Sequence, residues 1–355
     1  MNSLQNNTTM QSLAERLGLS KGTISKALND SHEISIATKT KVVEAARELR
    51  YMPNHFASGL KSRKSKTIAV IVPEIVDSFF SLAINGIETF TQKEGYHINI
   101  YISHDLISKE KEIIRTLCDG RVDGVLISVC REAGDNAHLK ELMDCGIPLV
   151  FFDRVADELK AGKVMTDDFE AGYVAARHLI EQGCKKVCFL SSSLCLSILK
   201  KRMEGFIKAL NEKNVIDPQK NVHQIPLDDI ENLETIKLLL SNADERPDGI
   251  VISVELLTIP IYLACKELNI NIPDEVKIIC FSNLLYASVL SPPLSTITQP
   301  AFEIGQSAAR LICNSIDRFT EIDDEKIICP SRLDIRKSSG GNDVHLLKEE
   351  GLSVF

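Results

Sequence analysis

The sequence predicts an α/β protein: an all-α N-terminal head and hinge, then two doubly wound parallel α/β subdomains. Three observations predict it. Apolar side chains in residues 9–49 recur at helical spacing. Short β-rich runs then begin at positions 68, 97, 124 and 149, with helical stretches between them. A second series of such runs begins at 187, 222, 249 and 277. The length of 355 residues suits two or three modules. An apolar share of 44% with 25% charged residues argues against a wholly disordered chain.

The same composition excludes several classes. No apolar run reaches the ~18 residues of a membrane span. The closest stretch, 249–265, contains Glu255 and Pro260. The first residues lack a basic segment followed by an apolar one, so no secretory signal is expected and the location is read as cytoplasmic. Ten cysteines are scattered, mostly inside apolar runs such as those of Cys188, Cys280 and Cys329, and none forms a Cys-x-x-Cys pair. They read as reduced, buried thiols, with no metal site and no cofactor expected. The net charge of −8 is unevenly spread: residues 1–66 carry 11 basic and 5 acidic side chains. A basic head on an acidic body suits contact with a polyanion, although a small domain can be basic by chance.

In the head, Thr9 can cap a first helix, and Met10, Leu13, Ala14 and Leu17 form its apolar stripe. Gly18 can take a left-handed stop. Ser20 caps a second helix with Ile24, Ala27 and Leu28 inward and Lys21, Gly22, Thr23, Ser25 and Lys26 outward. Ser35 caps a third, with Val42, Ala45, Ala46 and Leu49 inward. The short link between the first two helices crosses them steeply, which is a helix-turn-helix. Hydroxyls and a helix N-terminus suit phosphates, lysines suit guanine edges or phosphates, and Gly22 permits close approach. Periodicity alone leaves a three-helix protein-binding domain open. Pro53 ends the third helix, and Asn54 can cap a short fourth one in a basic linker; ~6 residues cannot hold a helix alone in water.

The run Ser12-Leu13-Ala14, the segment Ser20-Lys21-Gly22-Thr23-Ile24-Ser25-Lys26-Ala27-Leu28-Asn29 and then Tyr51-x-Pro-Asn resemble the LacI/GalR family of bacterial transcription regulators. The match is dense over about the first 60 residues. It implies that the second helix reads the major groove of a half-site. Base or nearby contacts fall to Lys21, Gly22 and Lys26, and phosphate contacts to Thr23, Ser25, Asn29 and Thr38. Thr9, Ser20, Tyr51, Asn54 and Ala57 complete the candidate DNA-binding set. Leu60 matches the family's apolar wedge into the minor groove. The fourth helix is implied to order on operator DNA, against its twin from a second subunit.

In the body, neither α/β series shows Gly-x-Gly-x-x-Gly, Gly-x-x-x-x-Gly-Lys or a Gly-x-Ser-x-Gly elbow, so dinucleotide, nucleoside-triphosphate and hydrolase chemistry lose support. No two histidines make a His-x-x-x-His ligand spacing. The acidic pairs Asp167-Asp168 and Asp323-Asp324 read as solvated turn or cap residues.

The resemblance extends, more loosely, to about residue 336, where it implies a periplasmic-binding-protein-like body crossed three times by the chain. Ligand would then sit between the subdomains, at the C-terminal ends of the strands. Matching segments place Ser78 and Phe79 (in Pro73-Glu74-Ile75-Val76-Asp77-Ser78-Phe79-Phe80), Asp153 (in Phe152-Asp153-Arg154), Asp168 and Arg202 in the effector site. Arg202 is implied to fork onto ligand hydroxyls or a carboxylate. Two departures stand out. Val254-Glu255 replaces the family's Asn-Asp, and Ser282-Asn283 stands where an Asp usually grips sugar hydroxyls. Both read as lost polar groups, with Val254 facing an apolar part of another ligand and Ser282 remaining at the site.

The expected organisation is a head at 8–50, a hinge at 51–66, one subdomain from 67–166 plus 296–327, another from 167–295 plus 328–336, and a disordered tail at 337–355. The expected function is a repressor, dimeric on a two-fold symmetric stretch of double-stranded DNA. A small molecule, a carbohydrate or a derivative, would control it, with no catalysis and no membrane partner. The alternative is a non-regulatory α/β sugar-binding protein or enzyme with a basic interaction domain.

Overall fold

The structure is a computed structural model that describes residues 9–49, 51, 65–119, 121–130, 136–193, 196–226, 229–318 and 325–341. It divides into two compact units, Met1–Ser65 and Lys66–Phe355.

The first unit contains α1 (Met10–Leu17), α2 (Lys21–Leu28) and α3 (Ile36–Glu48). Each begins on a hydroxyl: Thr9, Ser20 and Ser35 accept the backbone N–H of Ser12, Thr23 and Thr38 at 3.2, 3.1 and 3.3 Å. Gly18 ends α1 at φ 62°, in the left-handed region that a side chain would strain. Leu13, Ala14, Ile24, Ala27, Val42, Ala45 and Ala46 close on one another as a small core, with the half-buried Tyr51 packed against it.

The second unit holds two six-stranded sheets. In chain order its elements are β1 (Thr67–Val72), α4 (Ser78–Lys93), β2 (His97–Ile102), α5 (Ile107–Leu117), β3 (Gly124–Ile127), α6 (Ala137–Asp144), β4 (Leu149–Phe152) and β5 (Gly162–Thr166). There follow α7 (Asp168–Glu181), β6 (Val187–Ser191), α8 (Ser197–Glu212), β7 (Val222–Gln224), α9 (Asp229–Ser241), β8 (Gly249–Ile252), α10 (Thr258–Glu267) and β9 (Lys277–Phe281). β10 (Ser295–Thr298), α11 (Ala301–Arg318), β11 (Lys326–Cys329) and β12 (Arg332–Asp334) complete it. The sheet orders are β11-β5-β4-β3-β1-β2 and β12-β10-β9-β8-β6-β7. All pairings are parallel except β12 on β10. The strands read as nearly continuous apolar runs because helices cover both faces. On the first sheet, Ile68, Val70 and Val72 meet α4 and α11, while Ala69 and Ile71 meet α5 and α6. The second sheet lies between α7 with α8 and α9 with α10.

The chain crosses between sheets three times: after β5, after β10 and after β11. β10 lies wholly in the second sheet and β11 wholly in the first, so the last two crossings fall after 298 and after 329, a few residues later than the sequence patterning suggests. β5 escapes a reading by apolar runs because Lys163 interrupts it. That lysine is fully buried, with Nζ donating to the Leu159 carbonyl at 2.6 Å.

Expected disorder from residue 337 gives way to order through 341. A 3₁₀ turn at Lys337–Ser339 buries two hydroxyls. Ser338 Oγ accepts from Ser295 N at 2.8 Å and donates to the Ile278 carbonyl at 2.7 Å, and Ser339 Oγ meets His178 Nε2 at 3.0 Å. The Ser338 hydroxyl thus satisfies two buried backbone groups, and the Ser339 hydroxyl a buried imidazole. Residues 342–355 lie outside the described set. Among the described residues no disulfide joins two cysteines. Among the described residues no helix is long and apolar enough to cross a membrane.

Candidate DNA-binding face and effector cleft

On α2 the small core takes Ile24 and Ala27, which turns Lys21, Gly22, Lys26 and Asn29 outward and leaves Thr23 and Ser25 half-exposed. This placement follows from the 3.6-residue period alone. Gly22 is informative. A Cβ built there would meet only Ser20 Oγ, at 3.6 Å, so nothing inside the head requires a glycine. Lys26 is paired with Glu33, and Lys39 with Asp30 at 2.7 Å; both acids are exposed. Lys39 beside Asp30 holds that carboxyl below its ordinary range. Such surface pairs are worth little and exchange readily for phosphate. Thr9 and Ser20 lie exposed at helix caps, and Thr38 sits half-exposed in the first turn of α3. Asn54, Ala57 and Leu60 lie outside the described residues.

In the body, the C-terminal ends of β1, β4, β8 and β9 converge on one cavity of about 40 Å³, room for roughly three waters. Phe79, Asp153, Arg202, Val254 and Ser282, all singled out from the sequence, line it. Ser78 and Asp168 do not; each acts through a neighbour. Asp77, Phe80, Arg154, Ile198, Glu255, Phe281, Asn283 and Gln299 complete the lining.

Asp77 is the N-cap of α4, its Oδ1 accepting from Phe79 N at 2.9 Å. Burial and the facing Glu255 carboxylate push its pKa up to about 6. Asp153 ends β4 in the left-handed region at φ 60° and is buried. Its nearest side-chain donors stand off, Gln299 Nε2 at 3.5 Å and Arg154 Nε at 3.9 Å. Burial pushes its pKa up to about 7, against the pull of Arg154 and Arg202. Arg154 sends Nη1 to Asp105 at 2.6 Å, and its buried Nε has no hydrogen-bond partner.

Arg202 is engaged within the protein. Its guanidinium reaches the cavity, but Nε donates to Asp168 at 2.8 Å, Nη1 donates to the Ser253 carbonyl at 2.7 Å, and the plane lies 4.2 Å from the Phe281 ring. Two of the donors expected to fork onto a ligand are thus already held. The cause is Asp168: a carboxylate at this position captures the arginine. Asp168 is therefore buried beneath the site, neither a solvated cap nor a lining residue. Its neighbour Asp167 does cap α7, accepting from Glu170 N at 3.0 Å.

Glu255 is the residue that sequence reasoning undervalued. Oε1 accepts from Ser78 N and Oγ at 3.2 and 2.7 Å; Oε2 accepts from Ser282 Oγ and Asn283 N at 2.7 and 2.9 Å. One carboxylate thereby ties the first subdomain to the second. The Glu255 carboxylate thus joins the two segments singled out from the sequence, 254–255 and 282–283. Val254 packs on Leu196, Ile198 and Leu199. The signal was present in the sequence, an acidic residue just past a strand end, but its reach depends on a cleft that only the fold creates.

Comparison with known proteins agrees with this architecture. Residues 9–54 match the model for bacterial regulatory proteins of the lacI family, and residues 176–339 match that for a periplasmic binding protein-like domain. The chain is 28% identical over 325 residues to the HTH-type transcriptional repressor PurR of Vibrio atlanticus, covering 90% of this chain and 94% of that one. Its fold superposes on the Lac repressor dimer bound to operator and the anti-inducer ONPF with a TM-score of 0.83, at 19% identity over 94% of this chain and 99% of that one. A LacI-family regulator from Enterococcus faecium with bound ribose gives a TM-score of 0.68 at 28% identity, covering 77% of this chain and 98% of that one.

Proposed function

We propose that the chain, with its lacI-family-like head and periplasmic-binding-protein-like body, is a LacI/GalR-family transcriptional regulator that represses as a homodimer on a two-fold symmetric operator under the control of a small polyhydroxy effector bound in the cleft. The observation that carries this reading is the outward face of α2. It presents lysines, hydroxyls and an unoccluded Gly22 on a helix whose other side is fully packed. Lys21 and Lys26 serve base edges or nearby phosphates; Thr23, Ser25, Asn29 and Thr38 serve phosphates. Tyr51 packs on the head core. Asn54, Ala57 and Leu60 belong to the hinge contacts.

The cleft supplies the sensor. Asp153 is a buried acceptor short of donors, and Arg154 Nε is a buried donor without an acceptor. A hydroxyl, which donates and accepts at once, satisfies both. Entry of such a ligand changes the balance between open and closed bodies, and so the geometry offered to DNA. Dimerisation is supported by an apolar stripe at Leu256, Ile259 and Leu263, exposed at helical spacing, with Leu285, Tyr286 and Val289 also exposed.

The test is selection of duplex DNA from a random pool by the full-length protein at moderate salt. A two-fold symmetric site whose affinity falls steeply with salt is expected. Absence of enrichment, or affinity indifferent to salt, overturns the reading. The selected duplex then becomes the probe for sugars that release or tighten binding.

A further inference from the structure

We propose that Ser78, Ser282 and Asn283 form a carboxylate seat spanning the two subdomains, that Glu255 is its resident ligand, and that this arrangement clasps the cleft and excludes anionic effectors.

The geometry is that of a bound carboxylate. Four donors converge on two oxygens, two on each, at 2.7 to 3.2 Å. Ser78 lies in the first turn of the 16-residue α4, where the helix dipole favours negative charge. Ser282 and Asn283 follow β9 on the opposite wall. Glu255 itself stands in a short 3₁₀ turn after β8, so its side chain is a tethered arm and its backbone is not part of either donor set. A tethered group holds an effective concentration of about millimolar or more, which a free anion must overcome.

The rest of the wall reinforces the exclusion. Asp77 and Asp153 also face the cavity, while Arg154 and Arg202 are engaged by Asp105 and Asp168. A phosphate or carboxylate on an incoming ligand thus meets the acids Asp77, Asp153 and Glu255 and finds the seat between Ser78, Ser282 and Asn283 taken. A neutral polyol or a cation meets no such barrier. The consequence for effector choice rests on the reading of the cleft as a sensor; the seat itself does not.

The test compares full-length wild type, Glu255→Ala and Glu255→Gln by thermal unfolding in sodium acetate and in sodium chloride of equal ionic strength and pH. E255A is expected to melt about 5 °C below wild type. Acetate should recover part of that loss and chloride none, while wild type responds alike to both salts. Amide exchange at Ser78 and Asn283 should quicken in E255A and slow again with acetate. E255Q, which keeps the packing and one of the two oxygens, should fall between; it carries the test if E255A does not fold. Equal melting of wild type and both variants, or identical effects of acetate and chloride on E255A, overturns the seat. Stabilisation of wild type by gluconate or glucose 6-phosphate overturns the exclusion. None of these readings uses DNA, so failure of the seat and failure of the regulator reading are separately visible.

Discussion

Gly22 of the head and four helical glycines of the body stand in opposite surroundings. A Cβ on Gly22 of α2 would meet only its own helix cap, at 3.6 Å. A Cβ on Gly205 of α8 would lie 1.9 Å from the Phe169 carbonyl oxygen, and one on Gly172 of α7 would lie 2.0 Å from that of Arg202. The first subdomain repeats the device: Gly86 of α4 faces Phe302, and Gly305 of α11 faces Ala83, each at 2.1 Å. These four body glycines let helices meet backbone to backbone. The head glycine leaves room for something outside the protein. The same residue type thus answers to close packing at four places in the body and meets open space on α2.

That contrast can be broken by substitution, beginning where the largest effect is expected. Asp168→Ala strands the buried Arg202 guanidinium without its acid. Breaking one side of such a pair should cost about 4 kcal/mol, measured by denaturant unfolding of the purified chain. Gly205→Ala should cost about 3 kcal/mol by the same measurement, because the carbonyl it strikes belongs to a helix that cannot give way alone. An unchanged midpoint for either variant would refute the packing account.

Asp153→Asn sharpens the view of the cleft. The folded-state pKa of Asp153, about 7, lies above the ordinary aspartate value. Ionisation in the folded state is therefore disfavoured, and this group takes stability away as pH rises from about 4 toward 7. Asparagine keeps the left-handed backbone at little cost. The variant should be more stable than wild type by about 4 kcal/mol at pH 8 and converge with it near pH 4. A difference independent of pH would place the effect elsewhere than in the charge.

The smallest effect on folding belongs to the head. Gly22→Ala should leave the head as stable or about 0.5 kcal/mol more stable, since alanine suits a helix better. Operator affinity should fall by about tenfold if the open face meets DNA. A variant that binds as tightly as wild type removes Gly22 from the interface.

Much of the fold was legible because local periodicity carries it. Caps at Thr9, Ser20 and Ser35, the stop at Gly18 and eight strands of the body follow from spacing within a dozen residues. β5 was not legible, since Lys163 sits in a buried strand by finding a carbonyl four residues upstream, which no pattern of apolar residues signals. The site was legible one wall at a time. Phe79, Asp153, Arg202, Val254 and Ser282 can each be matched to a strand end or helix, and they do share one cavity.

The pairings across that cavity were decided by tertiary structure alone. Arg202 meets Asp168 across 34 positions, and Glu255 meets Ser78 across 177. Such partners carry no mark of each other in the chain, because hydrogen bonds and ion pairs depend on distances below about 3.5 Å. Those distances arise only after two sheets have formed and the chain has crossed between them. Amino-acid order by itself determined the modules, their helices and most of their strands, since helix and strand periods are properties of neighbours. Which acid holds the arginine, which acid closes the cleft, and how much space remains between the walls were settled by packing.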